Sequence, residues 1–291
     1  MTDIQLPEQP RGLLAAARSH VRRAPPTAWF GMAMLTIYLS AALFAPLIAP
    51  YGEYDVVSQT PFAPWSSQFI FGTDQLGRDL FSRLIFGAHN SISIAFLTTS
   101  LAFLIGGSLG IVAATLGGIT DQVVGRLVDS LLSIPDLIFT LMLLAIFGSS
   151  VVNLILIIAV IDATRVFRLS RATALNLVTL EFVEAARARG ERVPWIVIHE
   201  ILPNMLPVLI SEFGMRFCFV FLAIAALSFL GVGLPPPMAE WGSMVRDNAA
   251  LISNGDITPL IPAAAIALLT VSLNFVADWF LNESSGLSDG E

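Results

Sequence analysis

The chain has no lysine. All fifteen of its basic residues are arginine. A Walker A phosphate loop sets a lysine on the nucleotide phosphates, so this chain cannot carry one. Schiff-base chemistry is excluded for the same reason. Cysteine occurs once, at Cys218, so no disulfide forms within the chain. Cys218 lies in an apolar run and reads as a small packing residue. The three histidines, His20, His89 and His199, compose no metal-ligand cluster by spacing. No metal and no cofactor are expected.

Charge is also scarce. Only 13% of the 291 residues are charged and 55% are hydrophobic, where soluble domains average about 25% charged. Mean hydropathy is +0.77. A soluble fold this apolar could not cover its own surface. No charged residue occurs from Ala24 to Gly52, Leu84 to Thr120, Leu137 to Ile161, Phe217 to Ala239, or Ile257 to Ala277. Each run can hold a helix of the ~20 residues that cross a hydrocarbon core. In lipid the backbone must satisfy its own hydrogen bonds, so the runs read as helices. The run from Leu137 to Ile161 is expected to serve two helices, about 131–148 and 151–166, turning at "FGSSVVN" (Phe147 to Asn153). The fold class is therefore an all-α integral membrane protein with six transmembrane helices.

Orientation follows from arginine. Arg11, Arg18, Arg22 and Arg23 precede the first span, Trp29 to Pro50, which is expected to be a retained span and not a cleaved signal. With both ends in the cytoplasm, the inner segments hold eleven arginines and the outer ones three; the opposite orientation reverses that ratio. The expected organisation is a cytoplasmic N-terminal segment (1–27), a transmembrane domain (28–281) with a long inner loop at about 168–203, and a cytoplasmic tail (282–291). The tail, "NESSGLSDGE", is polar and expected to be disordered.

Within the spans, Gly106 and Gly110 form a small-xxx-small face for close helix contact. Pro135 suits the first turn of the third span. Glu212 and Arg216, spaced i, i+4, are expected to pair on one helix face. Asp162 is expected to pair with Arg165 one turn later. A gate at the first pair and a proton relay at Asp162 are the functional alternatives.

The inner loop interrupts these runs with "EFVEAARARGERVPWIVIHEILPN" (Glu181 to Asn204). Thr179 is expected to cap a short helix with Glu181 and Glu184 in its first turns, where the helix dipole favours acid. Gly190 is its stop. Pro194 starts a second helix and Pro203 ends it. Ala185 and Ala186 leave one face nearly bare, with Arg187, Arg189 and Arg192 around it. A bare face lets another protein's backbone approach closely. The alternative is an amphipathic helix lying on lipid, which wants bulkier apolar residues than Ala-Ala.

Glu184-Ala185-Ala186, then Gly190, then Leu202-Pro203 resembles the cytoplasmic coupling motif of ABC importer permeases. "GTDQLGRDLFSR" (Gly72 to Arg83), "SIPDL" (Ser133 to Leu137), "LSFLGVGLPPPMAEWGSM" (Leu227 to Met244) and "HEILPN" resemble segments of the second, C-type permease of dipeptide, oligopeptide and nickel importers. The resemblance runs from about Trp29 to Asp278. It implies the type I ABC importer permease fold in a bacterial cytoplasmic (inner) membrane, surrounded by lipid. It implies a homologous permease as heterodimer partner and an extracytoplasmic solute-binding protein. Two ATP-binding subunits would hold ATP and Mg; the permease itself would be no enzyme and would bind no nucleic acid. ATPase coupling would rest on Glu184, Ala185, Ala186, Gly190, Leu202 and Pro203. Contact with the binding protein would involve Gly72, Thr73, Asp74, Arg78, Asp79, Trp241 and Gly242, although Gly72 to Asp74 and the prolines from Pro235 also read as turns.

Two rival classes stand beside this reading. An ion-coupled secondary transporter needs an acid at mid-depth and usually internal repeats, whereas Asp162 and Glu212 fall near inner span ends beside arginines. A structural membrane-assembly subunit needs no docking segment.

Overall fold

The computed structural model describes residues 24–284. The four N-terminal arginines and the tail from residue 285 lie outside them. Among the described residues every regular element is a helix; two isolated bridges, Val56 with Arg78 and Thr73 with Asp79, pair the chain outside helices.

Helix α1 (Pro26–Leu43) begins with proline at its first turn, where a missing N–H costs nothing. A one-turn helix α2 (Ala45–Ile48) follows. Helix α3 (Leu80–Ala102) is capped by Asp79, whose carboxylate accepts from Ser82 N at 2.8 Å. A π-turn, Phe103–Gly107, joins it to α4 (Ser108–Leu116). The next helices are α5 (Gly118–Leu132), α6 (Asp136–Phe147) and α7 (Val151–Val178). The inner segment supplies α8 (Glu181–Ala188) and α9 (Val193–Ile196). A π-turn, Val197–Ile201, leads into α10 (Leu202–Phe229). Helix α11 (Trp241–Asn248) and a 3-10 turn, Ala249–Asn254, lie in the expected outer loop; α12 (Leu260–Ser284) closes the chain.

The glycine face packs as expected. A Cβ on Gly106 would lie 2.2 Å from Ala163 O, and one on Gly110 would lie 2.6 Å from Phe167 O. Only glycine lets α3–α4 approach α7 this closely. The larger core joins α1, α3, α6, α7, α10, α11 and α12 around Leu154, Phe221, Leu227 and Trp241. A second cluster joins α4, α7, α8, α9 and α10 through Ile111, Ala174, Val183, Ala186, Ile196 and Met205.

The "FGSSVVN" turn forms where expected. Gly148 takes φ +85°, Ser150 caps α7, and Asn153 Nδ2 donates to Phe147 O (2.7 Å) and Gly148 O (3.1 Å). The flanking helix bounds need correcting. The third expected helix starts at Asp136 and not at 131, because Pro135 sits extended at the N-cap. The residues before it form α5, bent 89° from α6. Helix α7 runs on to Val178, past the expected end at 166. Charge limits how far a helix stays in lipid, but it does not stop the helix.

Among the described residues, four helical runs are long and apolar enough to cross a membrane: Pro26–Leu43, Leu80–Leu116, Val193–Phe229 and Leu260–Leu281. Helices α5 and α6 make a fifth if taken as one broken span. Helix α7 has 28 residues, about 42 Å at 1.5 Å per residue, with Asp162, Arg165 and Arg168 along it.

Candidate functional site

The inner segment is a built unit. Helix α8 ends in a Schellman motif: Gly190 takes φ +83°, its N–H donates to Arg187 O at 2.9 Å, and Glu191 N donates to Ala186 O at 3.2 Å. The N-terminal cap departs from expectation. Leu180 occupies that position with no side-chain bond. Thr179 ends α7, and its hydroxyl donates to Asn176 O at 3.2 Å.

Pro194 starts α9 as expected, but Pro203 ends nothing. It stands in the first turn of α10, and helical structure runs unbroken from Val193 to Phe229. A proline inside a helix removes one N–H and crowds the carbonyl four residues back, here that of His199. The π-turn at Val197–Ile201 widens the ladder there, and Asn204 Nδ2 donates to Glu200 O at 2.6 Å.

The expected bare face also needs correcting. Ala186 is fully buried, packed with Val183 in the second core cluster. Ala185 is exposed, as are Glu184, Arg187, Arg189, Gly190 and Arg192. Arg189 is partly occupied within the chain: its guanidinium lies 3.5 Å from Glu200 Oε1 and 5.8 Å above the Trp195 ring. Leu202 is half-buried and Pro203 exposed. Of the two alanines, then, only Ala185 faces outward. The locking of Ala186 turns α8 into a fixed extension of α4, α7 and α10.

The outer segments form a cap over the opposite helix ends. Asp74 receives Arg78 Nε at 2.7 Å and lies 3.5 Å from Arg83 Nε. Arg83 also donates to Glu53 O (3.1 Å) and Pro237 O (3.2 Å). Glu53 Oε1 accepts from Asn90 Nδ2 at 2.8 Å and from the Ala239 N–H. Trp241 Nε1 donates to Leu84 O at 2.9 Å. A Cβ on Gly242 would lie 2.2 Å from Ala225 O. Glu240 caps α11, accepting from Gly242 N (2.9 Å) and Ser243 N (2.8 Å). Burial raises its pKa above the ordinary glutamate range, opposed by those two backbone bonds.

Gly72, Thr73, Asp74, Arg78, Asp79, Trp241 and Gly242 are therefore all buried inside this cap. They hold its shape. Its surface is made by neighbours such as Tyr54, Val56, Trp65, Ile70 and Leu76.

A third feature lies between the two ends. Arg216 Nε meets Glu212 Oε1 at 2.5 Å, the expected i, i+4 pair. The pair is part of a wider network. Arg216 Nη1 is 3.6 Å from Asp162 Oδ1, and Arg165 Nη1 is 4.0 Å from the same oxygen. Arg165 Nη2 pairs with Asp136. Asp162 thus stands between two arginines instead of belonging to Arg165 alone. These groups join α6, α7 and α10 around a cavity of about 340 Å³. Neither Asp136 nor Glu53 was marked as functional by local spacing; each finds its partners through tertiary contact.

Long apolar helices, a packed knob at one end, a cap at the other and a charged cavity between them fit a membrane-embedded subunit. The chain belongs to the family of binding-protein-dependent transport system inner membrane components, whose model matches residues 106–282. Residues 23–68 match the N-terminal transmembrane domain of oligopeptide transport permease C. The chain is 33% identical, over 85% of its length and 82% of the relative's, to the dipeptide transport system permease protein DppC of Alkalihalophilus pseudofirmus. It is 34% identical to the probable D,D-dipeptide transport system permease protein DdpC of Escherichia coli, covering 84% of this chain and 82% of that one. It is 30% identical to the glutathione transport system permease protein GsiD of Pectobacterium atrosepticum, covering 83% and 81%.

Proposed function

We propose that this chain is one half of the membrane pore of an ATP-driven importer of dipeptides and oligopeptides. The observation that carries the reading is near full-length similarity to several peptide permeases. The chain spans the membrane six times, through α1, α3–α4, the broken pair α5–α6, α7, α9–α10 and α12, with both ends in the cytoplasm. The arginine asymmetry supports that orientation, and the transmembrane domain is 28–281. A homologous permease completes the pore. An external solute-binding protein delivers cargo to the outer cap, where it meets the exposed neighbours of the buried motif residues.

Energy comes from two ATP-binding subunits, which hold ATP and Mg. Helix α8 seats in a cleft of one of them through Glu184, Ala185 and Arg187. Gly190 ends the knob, while Leu202 and Pro203 open the long helix that carries its motion inward. Because Ala186 and Val183 lock α8 to α4, α7 and α10, a push on the knob moves these spans together. Transport, not chemistry, is this chain's task.

The test is reconstitution of the chain with its cognate permease, ATPase and binding-protein subunits in liposomes. Labelled dipeptide should accumulate only with ATP inside the ATPase compartment. Accumulation driven by an ion gradient without ATP would instead establish the secondary-transporter class.

A further inference from the structure

On the six-span reading proposed above, the cavity between α6, α7 and α10 lies at membrane depth. Because α7 runs on to Val178, Asp162 is not near its end as expected: it is twelve residues past the Ser150 cap, about 18 Å along the helix axis, against a hydrocarbon core ~30 Å thick. Charged side chains at such depth face a bundle interior or an aqueous pathway. Asp136 and Arg165 are each more than one-third exposed in this chain, so the cavity is open on that face. At about 340 Å³, the cavity is at the small end of ligand pockets.

Asp136 and Asp162 line it with Arg165 and Arg216, and Glu212, behind Arg216 and outside the cavity wall, brings the network to three carboxylates against two guanidiniums. Asp162 is only 5% exposed, and its Oδ2 has no hydrogen-bond partner among the described residues. Its Oδ1 lies 3.6 Å and 4.0 Å from the two arginines, beyond ordinary hydrogen-bond length. The carboxylate is therefore loosely held, and its last torsion is a soft one. A buried acceptor without a donor is costly; Oδ2 is itself buried, so a cationic donor entering the cavity would relieve that cost once the carboxylate turns toward it. Ile158, Ile161, Phe219 and Val220 supply apolar wall beside the charged groups.

We propose that this cavity is a transit site in the permease for the cationic amino end of the cargo, with Asp162 as the acceptor of its ammonium. The proposal rests on the peptide-import reading and extends it: the permease itself would select for a free amino group. Arg165 and Arg216 offset the repulsion among the carboxylates between passages.

The test uses the complete importer in nanodiscs without ATP, carrying Ala223→Cys in a Cys218→Ser background. Ala223 lines the cavity. The rate of its alkylation by a maleimide is followed with L-alanyl-L-alanine or its N-acetyl derivative. The free peptide should slow alkylation and the acetylated one should not. Asp162→Asn should weaken the protection by about tenfold or more, as expected on losing a hydrogen bond to a charged group. Equal protection by both peptides, or by neither, overturns the site; that comparison needs no change at Asp162. ATP-driven uptake of the same dipeptide is measured in parallel. Uptake without selective protection rejects the site and leaves the import reading standing. Selective protection without uptake keeps an ammonium-binding site but rejects the import reading and, with it, the transit role.

Discussion

Ala185 and Ala186 are adjacent in α8 and point opposite ways: Ala186 is 0% exposed against Val183, Ile196 and Met205, while Ala185 faces out. Two identical residues therefore predict two different failures. Ala186→Trp would overpack an interior site and destabilise the permease by about 1–3 kcal/mol or more. Ala185→Trp leaves the interior alone and should block only the approach of a partner. The expected outcome is normal membrane levels and thermal stability for Ala185→Trp, with loss of ATPase co-purification and of uptake. Normal ATPase recovery together with normal uptake in that variant would remove the docking role of α8.

Glycine substitutions should separate backbone strain from packing. Gly190 has open space around it, so Gly190→Val costs only the left-handed backbone, roughly 1–2 kcal/mol. Gly190→Asn should be milder, since asparagine tolerates that region. Gly106 has ordinary helical φ but touches Ala163 O, so Gly106→Val must push α3–α4 off α7 and should be the more severe. Gly125, in a helix with nothing near it, should accept alanine with a gain of about 0.5–1 kcal/mol. Thermal unfolding of the four variants in one detergent checks the order; equal losses at Gly106 and Gly190 would contradict it.

The buried glutamate of the outer cap sets a pH trend. Its folded pKa is raised by desolvation, so the folded state keeps its proton after the unfolded state, at the ordinary value near 4.5, has lost it. Between those two values the folded form binds more protons, and stability falls as pH rises. Glu240→Gln should flatten that part of the stability profile while keeping one acceptor for the cap of α11. Proteolytic sensitivity of residues 233–258 across pH 4 to 8 is the measurement (pH settings about the ordinary carboxylate range). An unchanged slope in the variant would place the trend elsewhere.

What the sequence made legible is local or periodic. Gly106 and Gly110 share a face by spacing alone, Gly148 and Gly190 mark stops through their own backbone freedom, and Glu212 reaches Arg216 across one turn. Sidedness was not legible. In an eight-residue helix, nothing in "EAAR" says which alanine meets the bundle; that is set by Ile196 and Met205 arriving from elsewhere in the chain. Pro203 misled because a π-turn upstream absorbs it, and π-turns have no composition signal. The motif residues from Gly72 to Asp79 and at Trp241 and Gly242 are expected at a contact surface from the family resemblance, which carries no information on burial. The charged ones are buried instead: Asp74 pairs with Arg78 and Arg83, and both arginines reach the carbonyl of Pro237 inside the cap.

Topology is tested by accessibility, and the structure chooses the positions. Ser170 lies in the inner part of α7 but is fully buried against α4, so a cysteine there would be silent from either side. Ala188 is exposed at the end of α8, and Gln68 and Ser253 are exposed in the outer segments. In a Cys218→Ser background, Gln68→Cys and Ser253→Cys should react with an impermeant thiol reagent added to intact spheroplasts. Ala188→Cys should react only after the membrane is opened. The arginine asymmetry predicts this pattern, and partner subunits bear on it at one point only: an ATPase seated on α8 would slow Ala188→Cys even in opened membranes. Removing that subunit should restore the rate. Labelling of Ala188→Cys in sealed cells would invert the orientation and, with it, the assignment of α8 to the side where ATP is hydrolysed.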